Sequence, residues 1–358
     1  MKILKKLLII GIIFMIGVQL AACNSTKTSS NSTTGSSKVD PITGEKYPSV
    51  INIGVIEGGP ESAILIKEKY LENLGVKVNV VNYSAGTAIN NAVVSGNVDL
   101  ASYGSSPIAL GIANGIGYKA VFVPYVEGGN IEALAVKSNL GIKTVADLKG
   151  KKIATPFGTT SHYALLNALR LGGVNPNDVK LLDMSGSDIV AAWTRGDIDA
   201  AYIWSPALDN CLKANGTIIT NDGALAKQNV TIPEIGIART DFGKKYPTIV
   251  SQYVKALINA YNLVKNNPDK AIQDVADWEG ISKDNAKGQI TDNQWISGED
   301  QLTANYLGTS SKTGNLAETL KTIADFHKSQ GNISNSPDLK VFQNAVDTSF
   351  VKEALKTK

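Results

Sequence analysis

Between about residues 50 and 240 the chain alternates short apolar runs with amphipathic stretches. Val50-Ile51-Asn52-Ile53-Gly54-Val55 and Val76 to Val81 read as strands, and a helix from about Ser62 to Leu74 lies between them. The plan recurs further on: Lys152-Ile153-Ala154 is a strand, His162 to Leu171 a helix closed by Gly172-Gly173, and Val179 to Leu182 another strand. From Pro247 the period lengthens. Ile249, Tyr253, Val254, Leu257, Tyr261 and Val264 fall three or four residues apart, as do Leu316, Leu320, Ile323 and Phe326, which predicts helices with apolar, core-facing stripes. Strands alternating with helices predict an α/β fold with mainly parallel pairing. The roughly 310 residues from Tyr47 onward exceed what one core supports, which predicts two lobes.

An internal echo supports two lobes of similar build. Gly96-Asn97-Val98-Asp99-Leu100-Ala101-Ser102-Tyr103-Gly104-Ser105-Ser106-Pro107 matches Gly196-Asp197-Ile198-Asp199-Ala200-Ala201-Tyr202-Ile203-Trp204-Ser205-Pro206 with one residue inserted. Each copy reads as a helix end, a buried strand, then a serine and proline opening the next helix.

The N-terminus has a different character. Lys2, Lys5 and Lys6 precede an apolar run from Leu7 to Val18, and Leu20-Ala21-Ala22-Cys23 follows, the layout of a secretory signal over residues 1–22. The run is too short for a mature membrane span. A small-residue pair before Cys23 resembles a lipobox, in which that cysteine is lipidated and becomes the new N-terminus. Residues 23–46 then read as the anchor and a flexible tether, because 24–38 carry no large apolar side chain to offset the entropy of ordering.

Lys2, Lys5 and Lys6 account for the whole formal net charge of +3, so the chain beyond them is neutral. Nucleic acid and anionic lipid headgroups are therefore not expected partners. Of the two cysteines only Cys211 remains after Cys23, which excludes a disulfide framework and a cysteine metal cluster.

Candidate chemistry gathers where predicted helices begin. In an open α/β sheet ligands sit beyond the carboxyl ends of the strands, where helix N-termini offer unpaired N–H groups and a positive dipole end. Gly158-Thr159-Thr160-Ser161-His162 opens one such helix and Ser105-Ser106 another. Thr159, Thr160 and Ser161 add hydroxyl donors to one and Ser105 and Ser106 to the other, so two helix starts facing one cleft are suited to a tetrahedral oxyanion. A hydrolase built on Ser161 and His162 is disfavoured. Adjacent residues at a helix start do not face each other, there is no Gly-x-Ser-x-Gly elbow, and His327 is the one other histidine.

These segments resemble the taurine-binding subunits of ABC importers, within the wider aliphatic sulfonate and nitrate binding proteins. The similarity is carried by Gly104-Ser105-Ser106-Pro107, Gly129-Asn130-Ile131-Glu132-Ala133-Leu134, Gly158-Thr159-Thr160-Ser161-His162-Tyr163 and, above all, Ala191-Ala192-Trp193-Thr194-Arg195-Gly196-Asp197-Ile198-Asp199-Ala200-Ala201-Tyr202-Ile203-Trp204. It runs from about Asn52 to Tyr246 and more weakly beyond. Three departures from the pattern bear on ligand specificity: Ser161 within the Thr-Thr-His-Tyr phrase, the loop Glu57 to Glu61, and Gly236 where a bulky aromatic is common.

The resemblance implies a type II periplasmic-binding-protein fold, with lobe one at 47–136 plus 239–358, lobe two at 137–238, and a ligand cleft between them. It implies capture of taurine for an ABC permease and its ATPase by a monomer tethered outside the membrane through Cys23, with no catalysis, no cofactor and no metal. It implies a ligand site of Ser105, Ser106, Thr159, Thr160 and His162 for the sulfonate, with Glu132, Glu234 (where aspartate is usual) and Trp204 for the ammonium and the carbon linker. Other alkanesulfonates or a related small anion are the alternative ligands, and a thiamine-pyrimidine-precursor-related binding protein or enzyme is the more distant alternative.

Overall fold

The computed structural model describes residues 38–129 and 131–356; the predicted signal segment and Cys23 lie outside the described residues. The chain first builds β1 (Val50–Ile56), α1 (Pro60–Lys67), β2 (Lys77–Tyr83), α2 (Gly86–Val94), β3 (Leu100–Gly104), α3 (Ser105–Ala113), β4 (Tyr118–Phe122) and the short β5 (Tyr125–Val126). The second region holds β6 (Glu132–Lys137), β7 (Lys152–Thr155), α4 (Thr160–Leu171), β8 (Lys180–Asp183), α5 (Gly186–Arg195), β9 (Ala200–Trp204), α6 (Ala207–Lys213), β10 (Gly216–Asn221) and α7 (Asp222–Ala226). The return strand β11 (Glu234–Arg239) precedes the helical tail: α8 (Thr240–Lys245), α9 (Pro247–Asn266), α10 (Pro268–Glu279), α11 (Lys283–Thr291), α12 (Leu316–Ser329), α13 (Leu339–Ala345) and α14 (Ser349–Lys356). A two-residue strand, β12 (Gln294–Trp295), pairs with β5.

The predicted alternation is present, with local differences. The helix expected over 62–74 ends at Lys67, because Lys69 adopts a positive φ of 59° and the chain resumes as a separate 3₁₀ turn at Glu72–Leu74. Pairing is mixed where mainly parallel sheets were expected. The strands form two five-stranded sheets, β2-β1-β3-β11-β4 and β10-β6-β9-β7-β8. Within them β1 runs parallel to β2 and β3, and β7 parallel to β8 and β9. The antiparallel members are β6 and β11. Both arrive from the other lobe, so each enters its sheet at the end where the parallel strands finish and must run against them.

This membership fixes where the chain changes lobe. The boundaries read from sequence, 136/137 and 238/239, both fall inside strands. The chain passes to the second sheet between β5 and β6 and returns between β10 and β11. Residues 38–46, read from sequence as the end of the tether, are docked. Val39 bridges Lys46, and buried Asp40 accepts the N–H of Thr248 at 3.0 Å at the start of α9.

The sequence echo is a structural repeat. Gly96 and Gly196 both take left-handed φ values, 75° and 85°. The Asp99 N–H donates to the Asn52 carbonyl while its carboxylate accepts the Asn52 N–H, both at 2.9 Å. Asp199 repeats the pair on Lys152 at 2.9 and 2.8 Å. Two apolar clusters hold the chain together. The larger, around buried Tyr103, Phe122, Tyr253 and Phe342, continues into lobe two through Leu134, Leu165 and Tyr202, and the smaller, around Ile189, Trp193, Ile203 and Cys211, lies within lobe two. Cys211 is therefore a small core residue, its thiol pushed up to about 12 by burial.

Candidate functional site

The repeat places equivalent strand ends on the two sides of one cleft. In lobe one the last residue of β3, Gly104, pairs with the first residue of β11, Glu234. In lobe two the last residue of β9, Trp204, pairs with the first residue of β6, Glu132. All four line a single cavity whose remaining wall comes from Ile56 to Gly59, Gly86, Pro107, Tyr125, Glu127, Ile131, Thr159 and Thr160. The cavity offers about 50 Å³ to the centres of water-sized molecules. One water needs about 10–15 Å³ on that scale, so the room suits a ligand of only a few heavy atoms.

Four helices begin at this cavity. Gly58 and Gly59 precede α1, Gly86 opens α2, Gly104 precedes α3, and Thr159 and Thr160 open α4. Their positive ends favour an anion. The available N–H groups differ among them. In α3 the Ser105 N–H already donates to the Pro233 carbonyl at 3.0 Å, and Pro107 has none. α2 and α4 open on Gly86-Thr87 and Thr160-Ser161 with no proline in the first turn, so those two helices are the fuller donors. Two glycines allow the lobes to meet: a methyl on Gly104 would lie 2.4 Å from Thr160 Cγ2, and one on Gly58 2.5 Å from the Ser205 carbonyl oxygen.

The cavity is also strongly acidic. Glu57, Glu127, Glu132 and Glu234 line it, and among the described residues no lysine or arginine does. Burial pushes the Glu234 carboxyl well above the ordinary carboxylate range, and the charges of Glu61 and Glu132 add to the shift. Glu127 is raised in the same sense by burial and then by Glu132, Asp222 and Glu234. Asp222, whose Oδ1 accepts the Tyr202 hydroxyl at 2.6 Å, is raised by burial and by Glu132. Buried Glu61 behind the wall is raised by burial as well. Oxygens of Glu127, Glu132 and Asp222 lie within 4.8 Å of one another, an arrangement that can share protons or meet a cation. Glu132 Oε2 and Asp222 Oδ2 have no hydrogen-bond partner.

The run of hydroxyls at the start of α4 has a specific role. Thr159 caps the helix, its Oγ1 accepting the His162 N–H at 3.4 Å while its hydroxyl donates to the Pro156 carbonyl at 2.6 Å. The Thr160 hydroxyl donates to Glu132 Oε1 at 3.1 Å, and the Ser161 hydroxyl donates to the same oxygen. Two of the three hydroxyls therefore buttress a carboxylate from β6, and the donors left for an anion are backbone N–H groups.

Of the residues singled out from sequence, Glu132, Glu234, Thr159, Thr160 and Trp204 line the cavity, and Ser105, Ser106 and His162 do not. Ser106 Oγ lies 2.8 Å from Nε2 of His327, on α12. Ser105 is fully buried and its hydroxyl has no partner. The His162 ring stacks on Phe157 at 4.4 Å, its Nδ1 accepts the Gly158 N–H at 3.2 Å, and burial lowers its pKa to about 4, so it is neutral. Sequence reasoning missed Glu127, Asp222 and Tyr125.

Two α/β lobes, joined by two crossing segments and closing on a cavity at their strand ends, constitute the type II periplasmic-binding-protein fold. Solved structures share it at low identity. The alkanesulfonate-binding protein from Xanthomonas axonopodis pv. citri bound to MOPS superposes with a TM-score of 0.69 at 22% identity, covering 84% of this chain and 99% of that one. The desulfurization enzyme DSZB does so at 0.61 and 15%, covering 86% and 99%. The fold is thus common to binding proteins and an enzyme. Residues 66–271 match the family model described as NMT1/THI5 like. The taurine-binding periplasmic protein of Escherichia coli (strain K12) is 32% identical over 270 residues, 74% of this chain and 81% of that protein. A putative aliphatic sulfonates-binding protein of Bacillus subtilis (strain 168) is 24% identical over 289 residues, 80% and 81% of the two chains. The chain belongs to the NMT1/THI5-like family, in the group that contains the taurine- and aliphatic-sulfonate-binding proteins.

Proposed function

We propose that the protein captures a small aminoalkanesulfonate, taurine first among them, and delivers it to an ABC permease and its ATPase from a lipid anchor at Cys23 outside the membrane. The observation that carries the ligand class is the combination within one small cavity of helix N-termini and of buried carboxylates with no basic partner. Helix termini alone would accept any small anion, but the carboxylates would repel it. A short zwitterion answers both: its sulfonate meets the N–H groups of α4 and its ammonium meets Glu132, Glu234 and Glu127. Trp204 offers a ring face to the linker or the cation. The relatives' names and the size of the cavity agree with this reading. The function is transport by hinge closure, with the closed form recognised by the permease.

Calorimetric titration of the soluble domain with taurine, ethanesulfonate and ethylamine tests it. Taurine is expected to bind one per chain and the two half-ligands far more weakly; ethanesulfonate binding as tightly as taurine would overturn the two-charge reading.

A further inference from the structure

The same cleft holds a second, larger space that the small cavity does not use. It is lined by Val190, Pro206 and Ala207 with the polar Ser187 and Asn210, and it offers about 380 Å³ to water-sized centres against about 50 Å³ inside. Two residues, Glu57 and Trp204, line both spaces. Trp204 is held where it stands from both lobes. Its backbone is in register with Glu132 in the second sheet, and Gly58 of lobe one approaches so closely that a methyl there would lie 3.1 Å from indole Cδ1.

We infer that Trp204 sets the length of ligand the protein accepts, the indole acting as a partition between an inner chamber that fits a two-carbon linker and an outer chamber built for a longer one. The outer walls are aliphatic with hydroxyl and amide groups, so the space suits an alkyl chain ending in a polar tip. This deepens the sulfonate reading and rests on it for the head group alone. A ligand whose linker exceeds two or three carbons has to displace the indole. Gly58 stands against the indole edge and the strand register fixes the backbone that carries it, so displacing the ring costs packing, and selection by length follows from that cost.

The test is a titration of ω-aminoalkanesulfonates with two, three, four and six carbons against the wild type, Trp204→Ala and Trp204→Phe. The wild type should bind the two-carbon member best, with affinity falling about tenfold or more by four carbons. In Trp204→Ala the two-carbon member should weaken and the six-carbon member strengthen, each by about tenfold, inverting the order, while Trp204→Phe keeps the wild-type order. Parallel weakening of every member in Trp204→Ala, or a wild type indifferent to length, would overturn the inference. If the wild type binds no sulfonate, the head-group reading fails instead. The partition is then judged on n-alkylamines and ω-amino acids titrated alongside, and on a crystal structure of Trp204→Ala. Two chambers still separate in that structure would overturn it.

Discussion

Replacing Glu132 by glutamine asks whether the ligand is recognised through two charges or one. Glu132 is 1% exposed; its Oε1 accepts the Thr160 and Ser161 hydroxyls and its Oε2 has no partner. An ammonium about 4 Å from that carboxylate gains about 4 kcal/mol at an effective dielectric of about 20. Glu127 and Glu234 line the same cavity and retain part of the attraction. The net loss for taurine should therefore be about 2–4 kcal/mol, roughly thirty- to several-hundredfold in affinity. Ethanesulfonate has no ammonium, and its anion leaves a repulsive field when the charge is removed, so its affinity should hold or rise. Glutamine keeps the shape, and the two hydroxyls can rotate to meet its amide. Titration calorimetry with both ligands on both proteins reads the crossover directly. Equal weakening of both sulfonates would refute the reasoning and assign Glu132 to hinge or fold, leaving the cation to Glu234 or the face of Trp204.

The raised carboxyls predict a proton signature. Glu127, Asp222 and Glu234 hold protons above the ordinary carboxylate range because burial disfavours their charge, and an arriving ammonium pulls their pKa values down. Taurine binding at a pH above the ordinary carboxylate range should therefore release protons and tighten as pH rises; buffer-independent binding heats would count against it. Without ligand, the folded state keeps protons that the unfolded chain gives up near 4.5, so melting temperature should fall as pH rises above that value, and saturating taurine should flatten the trend. Ser106→Ala removes the hydroxyl 2.8 Å from Nε2 of buried His327, so it should destabilise by about 1–3 kcal/mol while the affinity ratio of taurine to ethanesulfonate stays fixed; a changed ratio would return Ser106 to the site. Gly104→Ala drives a methyl toward Thr160 Cγ2 across the closed cleft and should cost taurine binding about 1–3 kcal/mol without lowering the melting temperature of the ligand-free protein, as titration and thermal melts would show.

The fold was legible because period is a strong signal: two-residue alternation in Val50–Ile56 and helical spacing in Pro247–Asn266 each leave one pattern of apolar positions. Mixed pairing was less legible, since β6 and β11 are buried apolar strands like their parallel neighbours and nothing in Glu-Ala-Leu-Ala-Val-Lys states a direction. In the site, Glu132, Glu234 and Trp204 stood out because a charge or an indole sits at a strand end. The hydroxyls misled for a physical reason. A sequence displays donors without their partners, and Thr160, Ser161 and Ser106 had already found theirs in Glu132 and His327. Asp222 was hidden by its ordinary place beside Asn221, whose side chain caps α7 by accepting the Ala224 N–H. Glu127 lies in the crossing segment just before Glu132, and only the crossing geometry brings the two together.

The repeat explains why the acids stand where they do. Each lobe presents the cleft with the end of a parallel strand, Gly104 or Trp204, and beside it the first residue of the strand that has just crossed over, Glu234 or Glu132. The two glutamates are therefore equivalent positions of one architecture, brought to a common cavity by facing lobes. At the equivalent strand ends the side chains differ, hydrogen against indole, and that difference breaks the symmetry. Gly104 lets Thr160 approach from the opposite lobe, and Thr160 in turn donates to Glu132. Trp204 fills the matching place on the other side and receives Gly58. A symmetric cleft would offer like ends to a ligand. Unequal substitution at matched positions makes the two sides chemically different, which is what the proposed capture of a short zwitterion in one orientation requires.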